Sequence, residues 1–413
     1  MPMARAMRDL MPGTASNAGT AHIFLVAAEE SGDRLGAALL HALQERSKGP
    51  LRFSGVGGRE MARAGIRSLF AIEELSILGF SSIPQRLPTI LRRIRETAVA
   101  IVQAKPDVLV IIDSPDFTHR VARRVRASDP SIPIVDYVSP TVWAWRPGRA
   151  RAMRHYIDHV LALLPFEPAA HQKLGGPPCT YVGHPLSERT AALRPNAEEA
   201  RRRMTDPPTV LVLPGSRGSE IRHMLSVFGD AITRLQSTHG PLEIVLPTVP
   251  HLREQIAAAT AAWPKPPRIV VDPAEKDSAF RVTRAALAKS GTVTLELAIA
   301  GVPTVAGYKV SAIEAMIARL MIKVPSVILA NLVIGENIVP EFLQENCTAE
   351  RLAAALAPLL RDGPERWRQL DAFGRLDAIM EIGRRMPAIG AADIVLSYIR
   401  QGDMGFAERT RNV

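Results

Sequence analysis

The chain has 413 residues, 47% hydrophobic and 22% charged, enough apolar matter for two globular domains, and this excludes a disordered or fibrous chain. Its net charge is +10, and the excess is concentrated: residues 84–154 carry 13 Lys/Arg against 6 Asp/Glu. Only 5% of residues are aromatic and no zinc-finger spacing occurs, so no nucleic acid partner is expected, and anionic lipid or phosphorylated substrates remain for the basic stretch.

Residues 1–20 hold no apolar run of signal-peptide length and are expected to form a disordered tail. No segment reaches ~18 uninterrupted apolar residues, so any membrane contact is expected to be peripheral. Strands are predicted at His22–Val26 and Leu51–Gly55, with a helix over Asp33–Arg46. KPDVLVIID, residues 105–113, is a buried strand ending in a carboxylate, and Ile132–Val138 and His159–Leu164 follow as further strands. Residues 186–208, rich in Ala, Arg and Pro without an apolar period, read as a linker. Strands then restart at Thr209–Leu213, Leu242–Pro247, Ile269–Asp272 and Ala285–Ala288, alternating with helices, and Ala349–Leu360 and Ala391–Arg400 are helical. This alternation predicts an α/β chain of two Rossmann-like domains, residues 21–185 and 209–379. Residues 380–413 are separately expected to pack back on the first. Cys179 and Cys347 stand far apart and make neither a disulfide framework nor a metal cluster, which fits a reducing cytoplasm.

Two strand–turn–helix units carry the chemistry. AAEESGD at residues 27–33 and LPGSRGSE at residues 213–220 each place a small-residue turn at a helix start, where unpaired N–H groups bind phosphate or sugar hydroxyls. Their repetition predicts two halves facing a shared cleft, the layout of a nucleotide-sugar transferase. Neither turn reads GxGxxG, which argues against an NAD oxidoreductase. In the second turn Gly215 permits close approach, Ser216 offers a hydroxyl, and Arg217 would clamp a pyrophosphate and neutralise a leaving phosphate. Ser290, Gly291 and Thr292 open a second helix in that half, where they either hold diphosphate or simply cap, and Glu296 one turn on would accept from ribose hydroxyls. In the first half Glu30 and Ser31 belong to the turn. Asp113 ends the strongest strand and is a candidate general base, with Asp116 in DSPDF as the alternative base or a helix cap. Trp143 and Arg146 in VWAWR would flank a sugar or acyl chain, or Trp143 would anchor the core. His184 in VGHP lies near the expected cleft or serves as hinge structure. Asn331 is polar amid an apolar run, as a substrate ligand or a structural amide. No spacing suggests a metal site. Leu75, Ile77, Leu78 and Phe80, flanked by arginines, form either an interfacial membrane element or one side of a core helix.

These segments together resemble the lipid-A-disaccharide synthase family of GT-B glycosyltransferases, over nearly the whole chain after residue 20. The matching pieces are AAEESGD, SGVGG, KPDVLVIIDSPDF, DYVSPTVWAWR, LALLPFE, YVGHP, LPGSRGSE, SGTVTLE and ANLVIGE. The family usually carries glycine where Ala28 stands and proline where Ala330 stands. The resemblance implies that UDP-2,3-diacylglucosamine donates its sugar to the 6-hydroxyl of 2,3-diacylglucosamine 1-phosphate (lipid X), with inversion, giving a β-1,6-linked disaccharide 1-phosphate and UDP. It implies catalytic roles for the aspartate at 113, the arginine at 217 and the asparagine at 331. It also implies no cofactor or metal, a peripheral position on the inner face of the cytoplasmic membrane, and C-terminal segments able to exchange in a homodimer. A UDP-GlcNAc 2-epimerase-like enzyme, or a non-catalytic membrane-associated binder of UDP-sugars or lipid, is the alternative reading.

Overall fold

The structure is a computed structural model that describes residues 19–75, 83–311, 314–316, 324 and 326–400. The tail expected over residues 1–20 therefore lies almost wholly outside the described residues, as do Ile77, Leu78 and Phe80 of the expected membrane patch. Leu75 ends a single 3-10 turn, Ile72–Leu75, and packs half-buried against the core.

The chain divides into two compact units, one formed by residues up to Gly183 together with those from Arg385 onward, the other by His184–Arg384. The first unit is built on six parallel strands: β1 (Ala21–Ala27), β2 (Leu51–Val56), β3 (Val108–Ile112), β4 (Ile134–Tyr137), β5 (His159–Ala162) and β6 (Cys179–Tyr181), in the order β2-β1-β3-β4-β5-β6. β3 is buried at every position because both sheet faces are covered. Alternation along the strands divides the core in two. Ile23, Leu25, Val108 and Val110 pack on one face with Leu39 and Leu43 of the helix Glu30–Arg46. Phe24, Val26, Leu109 and Ile111 pack on the other with Ile94 of the helix Ile83–Ala104 and Val121 of the helix Pro115–Ser128. The last helix, Pro387–Arg400, adds Ala391 and Val395 to the first of these faces, and its Asp393 pairs with Arg46 at 2.9 Å.

The second unit repeats the plan with β7 (Thr209–Leu213), β8 (Glu243–Pro247), β9 (Arg268–Val270), β10 (Ala285–Lys289), β11 (Thr304–Tyr308) and β12 (Glu341–Leu343), in the order β12-β11-β10-β7-β8-β9. Residues 186–208, expected as a linker, are folded into this unit as the short helices Pro185–Arg189, Thr190–Leu193 and Ala197–Arg203. The reason is a buried arginine that composition alone does not reveal. Arg203 donates to the carbonyls of Phe280, Arg281, Ala300 and Gly301 at 2.7–3.0 Å, ending two helices that would otherwise leave carbonyls unpaired.

In both sheets the strand order reverses beside the first strand, between β1 and β3 and between β7 and β10. Loops diverge there and leave a crevice at the carboxyl ends of the strands, the place where open α/β sheets bind ligands. The turns at residues 27–33 and 213–220, Asp113, and residues 290–292 all follow these four strands.

Candidate active site

In the first unit, the first turn of the helix Glu30–Arg46 brings Ser31, and the end of β3 brings Asp113, to the same point. The Ser31 hydroxyl donates to Asp113 Oδ2 at 2.9 Å, and the Ser114 N–H donates to Oδ1 at 2.7 Å. Asp113 (φ 54°) and Ser114 (φ 46°) are consecutive non-glycine residues in the left-handed region, a conformation costing roughly 1–2 kcal/mol each that aims the carboxylate out of the strand end. Asp116 stands in the first turn of the following helix, its side chain 84% exposed and 3.6 Å from Arg149. Glu30 is exposed and lines a separate charged pocket of about 440 Å3 with Arg34, Arg59 and Glu73.

The two tryptophans divide their roles. Trp143 donates its indole N–H to Glu167 at 3.1 Å and stands edge-on to Phe166, so it is an anchor for this loop rather than a free ligand surface. Burial pushes the Glu167 carboxyl up to about 7, against hydrogen bonds from the Leu164 N–H and Trp143 that favour its charged form. Trp145 instead carries the basic face: the guanidinium of Arg146 lies 4.4 Å from its ring centre and that of Arg149 at 5.7 Å. His184 caps the helical turn Pro185–Arg189 by accepting the Leu186 N–H on Nδ1, which leaves its proton on Nε2. Burial pulls its pKa down to about 4, so the ring is neutral.

In the second unit, Gly215, Ser216, Arg217, Gly291, Thr292 and Glu296 converge on one pocket of about 480 Å3. Arg217 is 80% exposed at its side chain, with its Nη1 3.7 Å from Glu220 Oε1. Ser290 is buried beneath the pocket and does not line it. Two lining residues, Lys276 and Lys289, carry no sign in their local sequence: Lys276 pairs with Glu296 at 3.0 Å, and Lys289 pairs with Glu220 at 3.0 Å. Lys289 is the last residue of β10 and lies 4.9 Å above the Tyr308 ring. Its position at a strand's carboxyl end is the one signal that would have found it.

Asn331 lies in the short helix Leu329–Ile334 of the second unit. It is 3% exposed, accepts from the N–H groups of Ile338 and Val339, and donates to the Val339 carbonyl and the Ser326 hydroxyl. Every hydrogen-bonding site of its amide is in use, tying this helix to Ser326, Ile338 and Val339. Among the described residues no group of three or more His, Cys, Asp or Glu stands together as a metal site, and no helix is long and apolar enough to cross a membrane.

The family model described as lipid-A-disaccharide synthetase matches residues 23–386. The chain belongs to the lipid-A-disaccharide synthase family. It is 63% identical over 384 residues to the lipid-A-disaccharide synthase of Nitrobacter hamburgensis, covering 93% of this chain and 97% of that one. This family member is accordingly an enzyme, a glycosyltransferase of lipid A biosynthesis. Its fold is GT-B. Two solved structures are similar in fold alone: Acinetobacter baumannii MurG (TM-score 0.56, 17% identity, 91% of this chain and 99% of that one) and the UDP-GlcNAc 2-epimerase of Neisseria meningitidis bound to UDP-GlcNAc (TM-score 0.56, 11% identity, 92% and 100%).

Proposed function

We propose that the chain transfers a diacylglucosamine from UDP-2,3-diacylglucosamine to the 6-hydroxyl of 2,3-diacylglucosamine 1-phosphate. The observation that carries the reading is the pocket at the second switch point. Arg217, Lys276 and Lys289 supply cationic charge for a nucleoside diphosphate, and Glu296 supplies an acceptor for ribose hydroxyls. Asp113 takes the proton from the acceptor O6. O6 forms its bond to the anomeric carbon as the bond from that carbon to the diphosphate oxygen breaks, which inverts the centre. The charge that grows on the leaving diphosphate falls to Arg217 and Lys289. The Ser31 hydrogen bond holds Asp113 in one rotamer, and two carboxylate lone-pair sites stay open for the incoming hydroxyl.

The acyl chains call for an apolar approach, and contact with an anionic membrane belongs to the same proposal. On the helix Ile83–Ala104, Leu87 and Leu91 are exposed (44% and 40%) one turn apart, with Arg92 and Arg95 exposed beside them. Leucines facing solvent next to arginines suit an interface where acyl chains meet anionic headgroups. The test is incubation with both diacylated substrates in detergent and EDTA, with products read by mass spectrometry. A tetraacyl disaccharide phosphate with UDP is expected. A protein that binds UDP but yields no disaccharide would overturn the reading.

A further inference from the structure

The N–H groups that the Gly215 turn offers to an anion already have a partner within the chain. Glu220, in the first turn of the helix Gly218–His239, folds its carboxylate back over the turn. Its Oε2 accepts from the N–H groups of Ser216 at 3.0 Å and Arg217 at 3.3 Å. Its Oε1 lies 3.0 Å from Lys289 Nζ and 3.7 Å from Arg217 Nη1. Gly215 makes this possible: its φ is +125°, and a Cβ there would stand 2.3 Å from Glu220 Oε2.

An acid at the third helical position reaching back to the N-cap N–H is a common cap. Two features exceed a cap. Glu220 also draws in Lys289, which arrives on β10 from far along the chain, and the ion pair is largely withdrawn from water, at 18% and 10% side-chain exposure. The carboxylate, the lysine, the arginine and the turn also all line the pocket assigned above to the donor. Two backbone N–H groups, an ammonium and a guanidinium are the donor set that a diphosphate recruits at a helix start.

We infer that Glu220 is an internal substitute for the diphosphate of a nucleotide. In the free enzyme it keeps Lys289 and the turn in their binding geometry. A nucleoside diphosphate must then take Lys289 and Arg217 from it, and the carboxylate left nearby opposes retention of the nucleotide product. The inference rests on the donor-pocket reading of the preceding subsection.

The test titrates UDP, and uridine as a phosphate-free control, calorimetrically into the full chain and its variants. Glu220→Gln keeps an acceptor for the turn N–H groups and removes the charge. Loss of one like charge at such range predicts that UDP binds about tenfold tighter, with uridine unchanged. Lys289→Met should weaken UDP by about tenfold and cancel the Glu220→Gln gain in the double variant. UDP bound no more tightly by Glu220→Gln than by wild type, or equally well after Lys289→Met, would overturn the inference and leave Glu220 a helix cap. Wild-type protein that binds no UDP would instead remove the donor-pocket assignment beneath it.

Discussion

Asn331→Ala separates a residue that touches substrate from one that builds a loop. Alanine leaves the Val339 N–H and the Val339 carbonyl without the partner they have now, while the Ile338 N–H keeps its 2.9 Å bond to the Glu336 carbonyl, inside a segment where Asn331 is 3% exposed. Each buried polar group left unpaired costs ~1–3 kcal/mol. With partial relief as the segment opens to water, the expected loss is roughly 2–4 kcal/mol, a large share of the ~5–15 kcal/mol that holds a domain. In a unit the size of residues 184–384, each kcal/mol lowers the thermal midpoint by ~2–4 °C, so a fall of roughly 10 °C is expected. Scanning calorimetry reads it, with turnover measured well below the transition. An unmoved midpoint with turnover down ~10²-fold or more would refute the reasoning, because the amide would then be acting on the transition state rather than on its own loop.

Asp113→Asn should lower turnover by ~10²–10⁴-fold while UDP affinity holds, and Asp116→Asn should change it by less than about threefold; the reverse ranking in a steady-state assay would move the base to Asp116. Arg217→Ala should cost ~10²-fold in turnover through lost stabilisation of the leaving diphosphate, and a near-normal rate would take Arg217 out of the mechanism. Glu167 has its folded-state pKa raised from 4.5 to about 7, so the stability it contributes is complete below 4.5 and is lost as pH rises through about 7. Glu167→Gln should therefore flatten the fall in thermal midpoint across that window, and an unchanged slope would show that the carboxyl is already ionised there. Leu87→Glu with Leu91→Glu should weaken sedimentation with anionic liposomes while far-ultraviolet circular dichroism stays the same; full liposome binding by that variant would remove this helix from the membrane contact.

Much of the fold was legible because it follows from short-range rules. Continuous apolar runs bounded by Pro or Gly marked β1, β3, β7 and β8, and their buried positions match those runs. The strands that escaped notice are β6, β11 and β12. β6 and β12 are three-residue strands, and the strand TVAGY of β11 carries a glycine that breaks the apolar signal. Residues 186–208 escaped for another reason. They show no apolar period because their attachment is polar: Arg203 reaches four carbonyls, and Arg281 reaches back to Glu199 at 2.7 Å. Carbonyls at helix ends have no sequence identity, so the partner of a buried arginine is invisible until the chain is folded.

The candidate site was half legible for a related reason. A motif can say that a polar residue stands at a strand end or helix start, but only the fold says how many of its hydrogen-bonding sites remain for a ligand. Asp113 and Asn331 looked alike in sequence, each a polar residue at the edge of an apolar run. The folded chain spends two sites of the Asp113 carboxylate and all four of the Asn331 amide. A proton acceptor needs a free lone pair; the Asp113 carboxylate keeps two such sites and the Asn331 amide keeps none. The same count explains why Glu220 and Lys289 were overlooked. Each serves the other, so neither stands out, and their use to a ligand lies in how readily that ion pair is exchanged for a phosphate.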